Sequence, residues 1–87
     1  MKLLFTKSFI RDYQNLPQRI QKAADKQLEL LFFDQTHPSL NVKTMNDPRE
    51  IWEGRVTRGY RFTFQIEGEL YILSVRRLGT HDILRNP

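Results

Sequence analysis

The segment from residue 51 to residue 81 alternates apolar and polar side chains in a way that predicts three β-strands. Phe62, Phe64 and Ile66 fall on one face of the central strand, because successive strand residues point to opposite sides of a sheet. The aromatic and small apolar residues of the preceding strand share that face. If this face packs inward, the polar residues look outward from an open sheet face. The outward residues include Glu53, Arg55 and Arg61.

The turns of this segment are indicated by glycine. Gly59 marks the first turn, and the link at residues 67–69 is tight enough for a hairpin. The third strand is expected at about residues 69–77, and it brings Arg76 or Arg77 to the outward face. The alternation favours Arg76 for that position. If Leu73 and Val75 point inward, Arg77 points inward with them and Arg76 points outward.

The first half of the chain predicts one short strand and two helices. The strand is expected at residues 2–6 and the helices at about residues 9–15 and 17–34, with Ser8 as the first helix cap. The second helix carries an apolar stripe at steps of three and four, which is typical of core packing. The stripe consists of Ile20, Ala24, Leu28 and Leu31. Prolines, asparagines and an aspartate predict a loop at residues 35–48.

The order of these elements predicts an α+β fold, β-α-α-β-β-β, with both helices on one face of an antiparallel-rich sheet. With 87 residues, the chain is expected to form a single domain over residues 1–87. The first strand is expected to join the same sheet, but the pattern does not fix its position.

Composition narrows the class of protein. Apolar residues at 39% and charged residues at 28% are typical of a globular chain. There is no cysteine, which fits a reducing cytoplasm and excludes thiolate metal sites. No apolar run approaches the length of about 18 residues that spans a bilayer, and the N-terminal segment lacks the pattern of a signal peptide. We therefore expect a cytoplasmic protein with no membrane partner.

The net charge of +4 and the high isoelectric point of about 9.8 favour an acidic partner. The type of cation changes along the chain: lysines dominate before residue 40, and only arginines follow Lys43. The planar fork of arginine matches phosphate better than the point charge of lysine. Phosphate binding is therefore expected in the second half.

The candidate chemistry follows from what the sequence lacks and what it has. Two distant histidines without cysteine form no metal-ligand pattern, and no nucleotide-binding or hydrolase motif is present. His37, in the proline-containing loop, fits a structural role. Cleavage of RNA by its own 2′-hydroxyl needs no metal or cofactor, only a base, a cation and an acid.

These roles have candidates on the outward face: Glu53 as base, Arg55, Arg61 and Arg76 as cations, and His81 as acid. The alternative is a solvated sheet face on which Glu53 forms a surface ion pair with Arg55 or Arg61. The residue pattern leaves both interpretations open.

Four segments in this order resemble the RelE/ParE superfamily of bacterial toxins, on the side of RelE, YoeB and YafQ. These segments are His37–Leu40, Ile51–Val56, Gly59–Arg61 and Gly79–Leu84. The resemblance covers nearly the whole chain and rests on the order and spacing of the motifs together. It implies a small RelE-like fold and a type II toxin. In such toxins the activity is metal-independent, ribosome-dependent mRNA cleavage that inhibits translation, and a cognate antitoxin holds the toxin inactive.

The resemblance also implies roles for single residues. Arg61 matches an arginine that contacts the scissile phosphate, and Arg55 matches a basic residue of the preceding strand. His81 falls where RelE has a catalytic arginine and where YafQ-like toxins have a histidine. With Glu53 these residues form the expected catalytic set. RNA contacts are expected from Arg76, Arg58, Lys43 and Tyr60, and the partners are the antitoxin, the ribosome and mRNA.

The chain departs from some relatives in two respects. It has no aromatic residue after Tyr71, so base stacking would come from Tyr60 or from the ribosome. Glu53 and Gly54 stand where some relatives carry lysines. Two alternatives therefore stay open: a ParE-like inhibitor of a macromolecular target such as gyrase, without chemistry of its own, and a degenerate toxin. His81 distinguishes the nuclease from the inhibitor, because a protein that only inhibits does not need a histidine beside arginines.

Overall fold

The computed structural model describes residues 2–67 and 72–87, which form two helices and a five-stranded mixed sheet. The strand order is β1-β5-β4-β3-β2; β1 pairs with β5 in parallel, and the other neighbours are antiparallel. The elements are β1 (Lys2–Phe5), α1 (Lys7–Gln14), α2 (Gln18–Phe33), β2 (Lys43–Thr44), β3 (Trp52–Arg55), β4 (Arg61–Glu67) and β5 (Ile72–Gly79). The predicted small α+β fold is confirmed.

Two short 3₁₀ helices complete the structure, Pro38–Leu40 and a C-terminal 3₁₀ helix at His81–Arg85. The first of them and β2 lie in the segment that was expected to be a loop. Both are too short to produce a hydrophobic period that sequence analysis detects. The predicted hairpin link at residues 67–69 lies partly outside the described residues, as does the predicted start of the third strand.

The first helix begins earlier than predicted, because Thr6 and not Ser8 is its cap. Thr6 has extended backbone angles, and its hydroxyl oxygen accepts a hydrogen bond from the amide of Phe9 at 3.0 Å. The same hydroxyl donates to the carbonyl oxygen of Arg76 at 2.6 Å. One side chain thus satisfies an orphan donor of the helix and ties the helix start to β5.

Both helices pack on one face of the sheet, as predicted. The stripe of α2 is buried, and it meets the apolar face of the central strands and of β5. The buried residues of this core include Phe9, Ile20, Ala24, Leu28, Leu31, Phe62, Phe64, Val75 and Leu78. Burial of these side chains supplies the main stabilising term of the fold.

An irregularity between β4 and β5 changes which residues share a face. Thr63 pairs with Arg77, yet the next residue, Phe64, pairs with Val75, so Arg76 is the extra residue of a β-bulge. Val75 and Leu78 are consequently both buried although they are three residues apart. The simple alternation that sent Arg77 inward was wrong, because it did not include this bulge.

The second sheet face is not open as expected, because the C-terminal 3₁₀ helix covers part of it. A Cβ atom built on Gly79 would lie 2.7 Å from Cγ2 of Ile83, so this side chain sits directly over the Gly79 backbone. Ile83, Ile51 and Thr63 are all buried, and none of them belongs to the main core. The outward face therefore has a small buried layer of its own.

No helix in residues 2–67 or 72–87 has the length and the hydrophobicity that crossing a membrane requires.

Candidate functional site

The β3–β4–β5 register gathers part of the predicted site at one end of the sheet. Arg55 pairs with Arg61 across β3 and β4, and Arg61 pairs with Gly79 across β4 and β5. Directly paired residues have Cβ atoms about 4.5–5.5 Å apart on one face. Because Gly79 is two residues before His81, the ladder brings Arg55, Arg61 and the backbone leading to His81 to the same end. We call this region the turn end.

Arg61 shares the outward face with Arg55, as predicted, but it is largely buried there, with 8% exposure. Its Nη1 donates to the carbonyl oxygens of Thr57, Tyr60 and Arg58 at 2.9, 3.2 and 3.4 Å. One guanidinium nitrogen thus joins three backbone carbonyls of the turn between β3 and β4. Arg61 therefore organises the turn, and this bonding accounts for its burial.

Arg55, Arg58 and His81 are exposed at or near the turn end. His81 is the first residue of the C-terminal 3₁₀ helix, whose cap is Thr80, with its hydroxyl oxygen 3.4 Å from the amide of Asp82. Within the described part of the chain, the side chains of Arg55, Arg58 and His81 make no hydrogen bond or ion pair. They are therefore available to a ligand.

Glu53 is half-buried on β3, between Lys43 of β2 and Thr63 of β4. Residues 2–67 and 72–87 contain two ion pairs, Arg49–Asp47 and Arg77–Asp12, each at 2.7 Å. The alternative in which Glu53 pairs with Arg55 or Arg61 is therefore not what the structure has. Lys43 is exposed, as predicted, and shares the face of Glu53.

Tyr60 lies on the helix-covered side of the sheet. It is partly buried against the main core, and its carbonyl oxygen accepts from the amide of Val56 at 3.0 Å. The neighbouring residue Arg61 belongs to the opposite face, because strand residues alternate. An RNA contact of Tyr60 therefore stays a prediction.

Arg76 lies away from the turn end, in a separate pocket. It is three residues before Gly79 on β5, which is about 10 Å along a strand. Its Nη1 donates to the side-chain oxygen of Gln65 at 2.8 Å, and its Nε donates to the carbonyl oxygen of Pro87 at 3.0 Å. The predicted site is therefore divided into two basic regions.

The sequence pattern did not single out Gln27, a buried polar residue that supports the turn end. Gln27 is 8% exposed, and its Nε2 donates to the carbonyl oxygens of Ser39 and Arg55 at 3.3 and 3.0 Å. It ties α2 to the end of β3. A signal existed, because Gln27 is a polar residue at a stripe position, three residues after Ala24 and four before Leu31.

The strongest electrostatic effect is at Asp47. Hydrogen bonds from the guanidinium and the amide of Arg49 lower the pKa of the Asp47 carboxyl to about 2. The carboxylate in turn raises the pKa of Arg49. No group of three His, Asp or Glu side chains in the described part of the chain is arranged to hold a metal ion.

No protein-family model matches this sequence, and no curated protein matches it. Several solved structures do share its fold. A YoeB/ParE toxin from Agrobacterium tumefaciens is 21% identical and superposes with a TM-score of 0.78, covering 93% of this chain and 99% of its own. YafQ from E. coli is 12% identical, with a TM-score of 0.77 and 95% and 96% coverage.

A third similar structure is an archaeal RelE–RelB complex from Pyrococcus horikoshii, 12% identical, with a TM-score of 0.75 and 91% and 92% coverage. These likenesses extend over nearly the full length of each chain. The protein therefore has the fold of the RelE/ParE toxins. This agrees with the resemblance found in the sequence motifs.

Proposed function

We propose that the protein is the toxin of a type II toxin–antitoxin system and that it cleaves mRNA on the ribosome. The observation that carries the proposal is the turn end itself. The pairing of Arg61 with Gly79 puts exposed Arg55 and exposed His81 at the same edge of one sheet. A cation and an acid–base group at one edge, on a RelE-like fold, fit phosphodiester cleavage better than simple binding.

The proposed reaction is an internal transfer. The 2′-hydroxyl of one nucleotide loses its proton to a base, and its oxygen attacks the adjacent phosphorus. The bond from phosphorus to the 5′-oxygen then breaks, and an acid gives that oxygen a proton. The products are a 2′,3′-cyclic phosphate and a free 5′-hydroxyl. No metal or cofactor enters the scheme, so charge that develops on phosphorus has to be stabilised by the protein.

Each step has a proposed residue. Glu53 is the base, since it shares the face of Arg55 two residues away on β3. Arg55 is the exposed cation for the phosphorus oxygens, and His81 is the acid. Arg61 holds the turn through Nη1 and retains other N–H groups for the phosphate.

The RNA strand is proposed to extend from the turn end over neighbouring basic residues. Arg58 and Lys43 are exposed, and Arg76 lies in the second basic region. Tyr60, which is partly exposed, is the proposed stacking residue. Binding of a polyanion by such residues is expected to weaken with salt.

The proposed partners are a cognate antitoxin and, in the cytoplasm, the ribosome with its mRNA. An apolar patch near the chain start gives the antitoxin a place to bind: Phe5 and Ile10, which are 43% and 46% exposed, line the same surface pocket. Exposed large apolar side chains in one area are typical of protein–protein contact. Changing Ile10 to Asp should abolish copurification with the antitoxin. Retention of the complex would exclude this patch from the interface.

The reaction is tested by the chemistry of the RNA ends. Purified protein is added to ribosomes that carry a defined mRNA, with ribosome-free mRNA as the control. We expect cuts only with ribosomes, and 3′ fragments with a 5′-hydroxyl that a polynucleotide kinase labels directly. Fragments with a 5′-phosphate would contradict the proposed chemistry, because they require attack by water.

The burial of Arg61 favours a second candidate, a ParE-like inhibitor of a macromolecular target such as gyrase, or a degenerate toxin. If the arginine that contacts phosphate in relatives is committed to the turn, catalysis is not required of this chain. Growth arrest on induction with intact transcripts would support the inhibitor. Absence of both arrest and cuts, from a folded protein, would support the degenerate toxin.

A further inference from the structure

A second basic region lies at the junction of α1, β5 and the C-terminal residues. It is a surface pocket of about 230 Å³ that we call the arginine pocket. Its lining consists of Thr6, Ser8, Arg49, Arg76, Arg77, Asn86 and Pro87. Apart from Pro87 these residues are polar, and three of them are arginines: the consecutive Arg76 and Arg77 of β5, and Arg49 from the segment before β3.

Two of the three arginines are held by carboxylates. Arg49 pairs with both oxygens of Asp47 at 2.9 and 2.7 Å. Arg77 pairs with Asp12 at 2.7 Å through Nε, and the same carboxylate accepts from the amide of Leu78 at 3.0 Å. These contacts fix the two guanidinium groups before any ligand binds. Preorganised donors cost less to use in binding than mobile ones.

Arg76 is different, because no side-chain carboxylate among residues 2–67 and 72–87 lies within ion-pair distance of it. Its two hydrogen bonds go to the amide oxygen of Gln65 and the carbonyl oxygen of Pro87. Arginine has five N–H donors, so three remain. The guanidinium is only partly exposed, and the Asp47 carboxylate lies near enough for Arg76 to help lower the pKa of Asp47 but forms no ion pair with it. An anion that enters the pocket therefore meets N–H donors that no other group uses.

The structure assigns the arginine pocket as a phosphate-binding subsite for RNA. Its occupant would be one backbone phosphate of the strand that the turn end cleaves. Arg76 would bind this phosphate through its remaining N–H groups, and Arg49 and Ser8 also line the pocket. Arginine forks match phosphate oxygens in pairs. The subsite rests on the proposed function and adds a second anchoring point to it.

RNA fits this pocket better than an acidic protein segment does. Protein–protein interfaces have an apolar centre surrounded by a polar rim, and the arginine pocket offers only Pro87 as an apolar surface. A phosphate needs no apolar contact. The separation from the turn end, about 10 Å along β5, also places this subsite beyond the reacting phosphate. It would therefore affect binding and leave the chemical step unchanged.

The first experiment tests anion binding without reference to cleavage. Inorganic phosphate is titrated into the ¹⁵N-labelled protein, and the Nε–Hε signals of the arginines are followed by NMR. We expect a saturable shift for Arg76 that Arg76→Gln removes and that Arg19→Gln, an exposed arginine on α2, leaves in place. Absence of a saturable shift at Arg76 would overturn the subsite, whether or not the protein cuts RNA.

The second experiment identifies RNA as the occupant. Binding of a labelled single-stranded RNA is measured over a range of salt concentrations. We expect Arg76→Gln to reduce the slope of log K against log salt by about 0.7 and to weaken binding about fivefold at 0.1 M salt, for any sequence. Arg76→Lys, which retains charge and loses the fork, should fall between wild type and Arg76→Gln. Because all variants are compared at equal folded fraction by circular dichroism, misfolding is separated from lost binding.

The outcomes separate this subsite from the proposed function. Cleavage by Arg76→Gln at a raised KM and an unchanged kcat supports the subsite. An unchanged salt slope in a protein that still cuts RNA overturns the subsite alone. If an acidic peptide and not RNA saturates the Arg76 signal, the RNA assignment is overturned. Phosphate binding at Arg76 in a protein that never cuts RNA contradicts the nuclease proposal and leaves the anion pocket standing.

Discussion

Arg61 lies directly opposite Gly79 in the β4–β5 ladder, and this pairing defines the turn end. Gly79 has no side chain, and the space over it is filled by Ile83 of the C-terminal 3₁₀ helix. The guanidinium of Arg61 instead serves the turn of residues 57–60. The Arg61–Gly79 pairing therefore connects an arginine that stabilises the turn with the end of β5, just before His81.

Arg61 should be important for stability as well as for activity. Changing Arg61 to Leu removes the side-chain donor that three turn carbonyls share, which we expect to lower the free energy of unfolding by about 2 kcal/mol. Changing Arg58, an exposed cation of the same turn, should alter it by less than about 0.5 kcal/mol. Urea unfolding compares the two. Equal small effects would mean that Arg61 does not hold the turn.

Gly54 is predicted to tolerate no side chain. A Cβ atom there would overlap the ring of Phe62, a buried aromatic residue of the core. Gly54→Ala should therefore lower the free energy of unfolding by about 1–3 kcal/mol, as overpacked cores do. Gly59→Ala is the matched control, since a Cβ at Gly59 meets nothing within 4 Å. Thermal unfolding that moves equally in both variants would contradict the packing account.

Thr63 and Thr6 should respond to valine in opposite directions. The hydroxyl of Thr63 is buried and has no hydrogen-bond partner in the described part of the chain. Removing it in Thr63→Val should raise the free energy of unfolding by about 1 kcal/mol. Thr6→Val loses the helix cap and the bond to Arg76, and it should lower the same quantity by about 1–2 kcal/mol. Destabilisation by Thr63→Val would indicate that its hydroxyl is satisfied in solution.

Asp47 provides a pH-dependent test of the arginine pocket wall. Its pKa is lowered from 3.8 to about 2, chiefly by the hydrogen bond from Arg49. A lowered folded-state pKa adds stability above pH 3.8, and this stability is lost as the pH falls toward about 2. NMR titration of the carboxyl carbon should give a midpoint near 2, and Arg49→Gln should move it upward. A midpoint unaffected by Arg49→Gln would exclude this ion pair in solution.

The architecture could be predicted from the sequence because two clear hydrophobic periods, one helical and one of a strand, dominate the pattern. The α2 stripe and the alternating aromatic residues of β4 determine which surfaces meet. The site was harder to predict. The bulge at Arg76 breaks the period of two, and nothing local in the sequence indicates where a bulge occurs.

The C-terminal 3₁₀ helix that covers part of the outward face was not predicted from the sequence, for a related reason. Ile83 belongs to a segment of five residues, too short for a periodic signal, and its contact with Gly79 is created by the fold. The burial of Arg61 follows from turn carbonyls that no residue pattern encodes. His81 and Arg55, by contrast, were expected on the outward side from residue type and position, and both are exposed. Their roles stay predictions.

The most direct test of the proposed function is the mapping of transcript 5′ ends in bacteria after induction of the wild-type chain and of His81→Ala. We predict cuts in phase with codons in the wild type, and their loss in the variant at equal protein level. His37→Ala, a histidine whose ring nitrogen bonds Ser39 in a loop, serves as the control and should retain the cuts. Growth arrest with intact transcripts in the wild type would contradict the nuclease and favour an inhibitor.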